Sequence, residues 1–82
     1  MTPLTADEFT ERAERIYEQR LKVALERDHR GEFLAIEPES GDYYLGRTLS
    51  EAVAAAREAY PERLSYVLRV GQHPAVHIGM IP

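Results

Sequence analysis

Residues 32–47 read Glu32-Phe33-Leu34-Ala35-Ile36-Glu37-Pro38-Glu39-Ser40-Gly41-Asp42-Tyr43-Tyr44-Leu45-Gly46-Arg47. Two short runs of apolar and aromatic residues flank Pro38-Glu39-Ser40-Gly41. Proline is pre-set for an early turn position, and glycine accepts the positive φ that a reversal demands. The stretch therefore predicts a β-hairpin with a turn of about four residues.

The chain on either side of the hairpin is helical. Upstream, Thr5-Ala6-Asp7-Glu8 has the spacing of a capping box, and Leu4 and Phe9 that of a hydrophobic staple. Phe9, Ala13, Ile16, Tyr17, Leu21, Val23 and Ala24 follow on one side at helical spacing, which predicts a helix from about residue 6 to about 26. Glu8–Arg12, Glu11–Arg15 and Glu18–Lys22 are favourable i,i+4 pairs. Arg20 falls near the centre of the apolar stripe of such a helix. It either snorkels from the core edge or crosses to a carboxylate on another element or a partner. The polar segment Arg27-Asp28-His29-Arg30-Gly31 then predicts a loop.

Downstream, Thr48-Leu49-Ser50-Glu51 repeats the capping-box spacing. Leu49, Ala52, Val53, Ala56, Ala59 and Tyr60 continue at helical spacing until Pro61 ends the helix. Leu64, Tyr66, Leu68 and Val70 alternate with Ser65, Val67 and Arg69, as in a strand. Gly71-Gln72-His73-Pro74 predicts a turn, and residues 75–80 a last short strand.

The expected fold class is α+β in the order α-β-β-α-β-β. A small, mostly antiparallel four-stranded sheet carries two helices on one face, and the pattern leaves the strand order open. The 82 residues form a single domain, 1–82, with the helix 6–26 leading into a hairpin-helix-strand module over about 31–80. A chain this short buries roughly 60–65% of its unfolded surface, so its core is modest.

Fourteen acidic residues against ten basic ones give a formal net charge of −4. Nine of the basic residues are arginine, interleaved with glutamate. That pattern opposes a phosphate-tracking face, and nucleic acid is not the expected partner. With no cysteine, thiol catalysis and cysteine-ligated zinc are excluded. The start of the chain lacks a basic region followed by an apolar one, and no apolar run is long enough to span a bilayer. The expectation is a cytoplasmic protein without membrane contact.

Candidate chemistry is sparse. His73 and His77 stand four apart across a turn and a strand, too far apart to share one ion. Glu37, Glu39 and Asp42 crowd the hairpin turn without the ligand spacing of a calcium loop and are expected to be solvated. No phosphate loop and no nucleophile–base motif is present. The chain is accordingly expected to have no catalytic residue, no metal and no cofactor, and not to be an enzyme.

Two features point to binding. Tyr43 and Tyr44 are neighbours in a strand, so their side chains take opposite faces; one packs in the sheet and the other is available to a partner. The end of the chain, with Val76, Ile78, Met80 and Ile81, is more apolar than a free tail requires. An edge strand of that composition is a template for a second copy, so a homodimer built on the C-terminal strands is expected. The partner-binding candidates are Arg20, Tyr43, Tyr44, Arg69, Val76, Ile78 and Met80.

The segment His29-Arg30-Gly31-Glu32-Phe33-Leu34-Ala35-Ile36-Glu37, then Ser40-Gly41-Asp42-Tyr43, Glu51-Ala52, Ala56, Pro61, Arg69-Val70-Gly71 and His77-Ile78-Gly79, resembles a group of small bacterial α+β proteins without an assigned activity. The likeness covers about two thirds of the chain. It implies a hairpin, helix and strand module behind a variable helix. It also implies a gene neighbourhood with retropepsin-like aspartic proteases or toxin–antitoxin-like pairs, hence a protein partner. No catalytic residue comes with it. The resulting expectation is a non-enzymatic protein-interaction module, the acidic, antitoxin-like or protease-associated member of a two-gene pair. The alternative is a nucleic-acid-associated regulator in which Arg27, Arg30, Arg47 and Arg69 converge at one end of the sheet with tyrosines for stacking.

Overall fold

The computed structural model describes residues 4–71 and 77–81, the latter as backbone. The class is α+β. The N-terminal helix comprises α1 (Ala6–Ile16), a π-helical segment (Tyr17–Leu21) and α2 (Lys22–Asp28). Strands β1 (Phe33–Ile36) and β2 (Tyr43–Gly46) follow, then α3 (Leu49–Ala59), β3 (Ser65–Arg69) and β4 (His77–Ile81). The sheet runs β2-β1-β3-β4, each neighbouring pair antiparallel. Because β2 and β3 flank β1, the α3 connection joins two parallel strands across the strand between them.

The capping box of α1 is complete. The Glu8 amide donates to Thr5 Oγ1 and the Thr5 amide to Glu8 Oε1, both at 3.2 Å. Leu4 packs on the cluster that contains Phe9, as a staple should. At α3 the Glu51 amide donates to Thr48 Oγ1, while the Thr48 hydroxyl itself reaches Glu51 Oε2.

The helices lie on opposite faces of the sheet, not on one. Phe9, Ala13, Tyr17, Leu21 and Leu25 pack against Leu34, Ile36, Tyr66, Leu68 and Val70. Ala52 and Ala56 of α3 pack against Ala35 and Val67 on the other side. Both central strands are thus buried on both faces, which explains why Phe33-Leu34-Ala35-Ile36 and Tyr66-Val67-Leu68 are unbroken apolar runs rather than alternating ones. Val67 is fully buried under α3.

The N-terminal helix departs from a straight α-helix for a visible reason. Its buried residues recur strictly every fourth position: 9, 13, 17, 21 and 25. At 3.6 residues per turn such a stripe drifts by about 40° at each step and leaves the sheet within four turns. A π-turn bonds i to i+5 and takes up one extra residue, which returns the stripe to the core. The same rotation moves Val23, expected in the stripe, out to 82% exposure.

Candidate functional site

The outer long edge of β2 and the hairpin turn at its start form the candidate site. The turn is built on Glu37, whose side chain is 1% exposed. Its carboxylate accepts from the Glu39 amide (2.9 Å), the Ser40 amide (2.9 Å) and Arg63 Nη1 (2.8 Å). Its backbone N–H donates to the Asp42 carbonyl, and its carbonyl accepts from the Gly41 amide. Burial pushes the Glu37 pKa up, but these donors outweigh it and hold the carboxyl below its usual range. The expectation of a solvated turn charge is therefore corrected for Glu37. It is a buried acceptor that organises the turn, and only its neighbours Glu39 and Asp42 reach solvent.

Arg63 continues from Glu37 over the ring of Tyr60, 5.0 Å from its centroid, and the Tyr60 hydroxyl donates to Asp42. Gly41 has φ +82°, which a non-glycine residue adopts only with strain. A Cβ there would stand 2.9 Å from Arg20 Nη1. The Arg20 guanidinium thus lies against the turn.

That position corrects the snorkelling expectation for Arg20 and leaves open the carboxylate of a partner. The π segment turns it out of the apolar stripe, so it does not snorkel from the core. Among the described residues it makes no ion pair and no hydrogen bond, so it crosses to no carboxylate there. Arg12, two turns earlier, donates weakly to the Glu39 carbonyl at 3.5 Å.

The two tyrosines divide as their alternation requires. Tyr44 is half-buried among the residues under α3. Tyr43 is 42% exposed on the side of the N-terminal helix, which packs mainly over β1 and β3. Gly46 ends the strand because a Cβ would come within 2.5 Å of the Ala52 nitrogen; α3 approaches the strand that closely.

The bond from the Glu37 amide to Asp42 sets the phase of the β1–β2 ladder. In an antiparallel pair, hydrogen-bonded and non-bonded positions alternate. Tyr44 and Gly46 face β1, and the N–H and C=O groups of Tyr43 and Leu45 point away from it. No backbone partner meets them among the described residues.

Arg69 and the other arginines behave differently. Arg30, Arg47 and Arg69 do share one end of the sheet, since Phe33 pairs with both Gly46 and Arg69. Arg69 Nε donates to the Gly31 carbonyl and its guanidinium covers the Phe33 ring at 5.5 Å. Arg30 donates to the Gly71 carbonyl and pairs with Glu26 at 3.7 Å. Arg27 is engaged by Asp28, and His29 bonds Glu32. The register places three of the four arginines at one end of the sheet, where acidic neighbours interleave them. Beneath it, Tyr17 donates to Glu26 at 2.9 Å, and burial followed by that bond pushes its phenol up to about 12.

Of the remaining candidates, Val76 lies outside the described residues, as does His73. Ile78 and Met80 belong to β4, whose backbone pairs with β3 through a bulge that leaves Ile78 without a Cα partner; their side chains, like that of His77, lie outside the description. Among the described residues no three His, Asp or Glu gather as a metal site, and no helix is long and apolar enough to cross a membrane. Compared with protein families, curated proteins and solved structures, the chain matches none.

Proposed function

We propose that the chain is a non-catalytic protein-interaction module and that it binds through the edge of β2. The observation that carries this reading is the unpaired backbone of Tyr43 and Leu45 beside an exposed Tyr43. Both sheet faces are covered by helices, so the edge is the sheet's remaining contact surface on this side. Natural edges are commonly blocked by proline, lysine or an overlying element. The four residues of β2 contain neither proline nor lysine. Tyrosine beside such an edge adds contact area at small entropic cost.

The resemblance supports a further step: the module is the acidic member of a bacterial two-gene pair, antitoxin-like or protease-associated. The alternative, a nucleic-acid-associated regulator, is weakened by the pairing of Arg27 and Arg30 with acids and by the engagement of Arg69 with Gly31 and Phe33.

The test is photo-crosslinking inside cells. A benzophenone amino acid replaces Tyr43 in one variant and Glu58, on the exposed side of α3, in another. The reading expects one discrete protein adduct at position 43 and none at 58. Equal labelling at both positions, or adducts to nucleic acid alone, would refute it.

A further inference from the structure

An exposed arginine stands at each end of the β2 edge. At its start the Arg20 guanidinium lies against Gly41. At its end Arg47 follows Gly46 and is exposed. Neither arginine makes an ion pair or hydrogen bond among the described residues. Of the acids near the edge, Asp42 is engaged by the Tyr60 hydroxyl and Glu51 by the Thr48 hydroxyl. Unpaired backbone groups are thus bracketed by two exposed arginines that no acid of the described residues engages, on a chain of net charge −4.

We propose that the occupant of this edge is an extended, acidic segment of a partner protein, which adds to β2 as a fifth strand and places carboxylates on Arg20 and Arg47. The proposal rests on the interaction reading above and specifies its partner.

Three considerations select this occupant. First, the edge presents alternating N–H and C=O groups. A polypeptide answers both, whereas a phosphodiester strand supplies only acceptors and leaves the carbonyls unmatched. Second, one symmetric pairing with a second copy of this chain is disfavoured. In the antiparallel two-fold register that joins Tyr43 to Leu45 of the other copy, Gly41 falls opposite Arg47. The guanidinium of Arg20 then meets that of Arg47 across the interface, and juxtaposed like charges oppose association. Third, arginine forks bind carboxylates bidentately, so an acidic side chain replaces water on two exposed guanidiniums that have no acid of their own among the described residues.

The geometry also fixes a spacing. Gly41 and Tyr43 are two residues apart, about 7 Å along a strand. Residues i and i+2 of the added segment share a face. The partner segment therefore carries an apolar residue over Tyr43 and an Asp or Glu two positions away, on Arg20.

The test is selection of displayed random eight-residue segments on the intact chain, followed by titration of the selected peptides. The expected result is enrichment of an apolar residue separated by one position from Asp or Glu. Arg20→Gln and Arg47→Gln should each weaken binding about tenfold, the worth of one charge-assisted bond. Arg57→Gln, an equal charge change on exposed α3, should leave it unchanged. Raising the salt from 0.05 to 0.5 M should weaken binding to the intact edge. All three substitutions are at exposed positions, and thermal melting verifies that each variant is folded.

Selected segments with no acidic preference, or binding insensitive to both Arg20→Gln and Arg47→Gln, overturn the acidic partner while leaving the interaction reading intact. Failure to select any segment overturns strand addition, and crosslinking at position 43 then decides the interaction reading separately. Binding of a mixed-sequence 12-nucleotide single strand that is lost in Arg20→Gln overturns the proposal in favour of nucleic acid.

Discussion

Replacing Glu37 by glutamine changes one buried atom from acceptor to donor and removes one charge. The carboxylate currently accepts from two backbone amides and from Arg63. A glutamine oxygen can keep Ser40 and Arg63, but its amide nitrogen then faces the Glu39 N–H, and that donor loses its acceptor. An unsatisfied buried donor costs about 1–3 kcal/mol, and weakening the remaining charge-assisted bonds costs roughly 1 more. The Arg63 side chain is 44% exposed, so its ion pair is screened and adds little beyond the bond itself. The expected loss is about 2–4 kcal/mol, or a fall in Tm of roughly 8–30 °C for a domain of this size. Urea unfolding followed by circular dichroism measures it. The sign of the pH dependence follows from the direction of the shift. The folded-state pKa lies below the unfolded one, so the stabilisation is fully present above about pH 4.3. It is lost as pH falls through the depressed folded value. The gap between wild type and Glu37→Gln should be constant from pH 7 to about pH 5 and narrow below that. A cost under 0.5 kcal/mol, or a gap as wide at pH 3 as at pH 7, would refute the role assigned to the turn carboxylate.

Three further outcomes are expected. Gly46→Ala should destabilise by about 1–3 kcal/mol, because its Cβ meets the backbone of α3 rather than a movable side chain; a melting point equal to wild type would show that α3 stands further off. Thr5→Ala should cost about 0.5–2 kcal/mol through loss of the cap, read in the same unfolding assay, and an unchanged midpoint would count against the cap. In a spectrophotometric titration Tyr17 should stay protonated until about pH 12; a Tyr17→Phe difference spectrum that develops near pH 10 would contradict its burial against Glu26.

Much of the fold is legible in local sequence. Capping spacing at Thr5 and Thr48, the stop at Pro61 and the turn glycine at Gly41 each report chemistry confined to a few neighbouring residues. The features that local sequence does not convey depend on distant packing. The unbroken run Phe33–Ile36 already carries the signature of a strand buried on both faces, but polar Ser65 and Arg69 at the two ends of Tyr66–Leu68 suggest one-sided burial there, and only the position of α3 decides between them. Likewise the strict fourfold spacing from Phe9 to Leu25 contains the signal for a π-turn. Without it, Arg20 falls into the core stripe and Val23 joins it. At the site, alternation already separates Tyr43 from Tyr44. The burial of Glu37 was not legible, because its main charged partner, Arg63, stands 26 residues away.

Binding along β2 requires an open edge, and amide hydrogen exchange tests that edge residue by residue. In the free chain the Tyr43 and Leu45 amides should exchange fast while those of Tyr44 and Gly46, bonded to β1, are protected. Adding a selected acidic segment should slow exchange at Tyr43 and Leu45. Protection of both amides in the free monomer, or no change at either on saturation with the segment, would contradict the claim that this edge is where the protein binds.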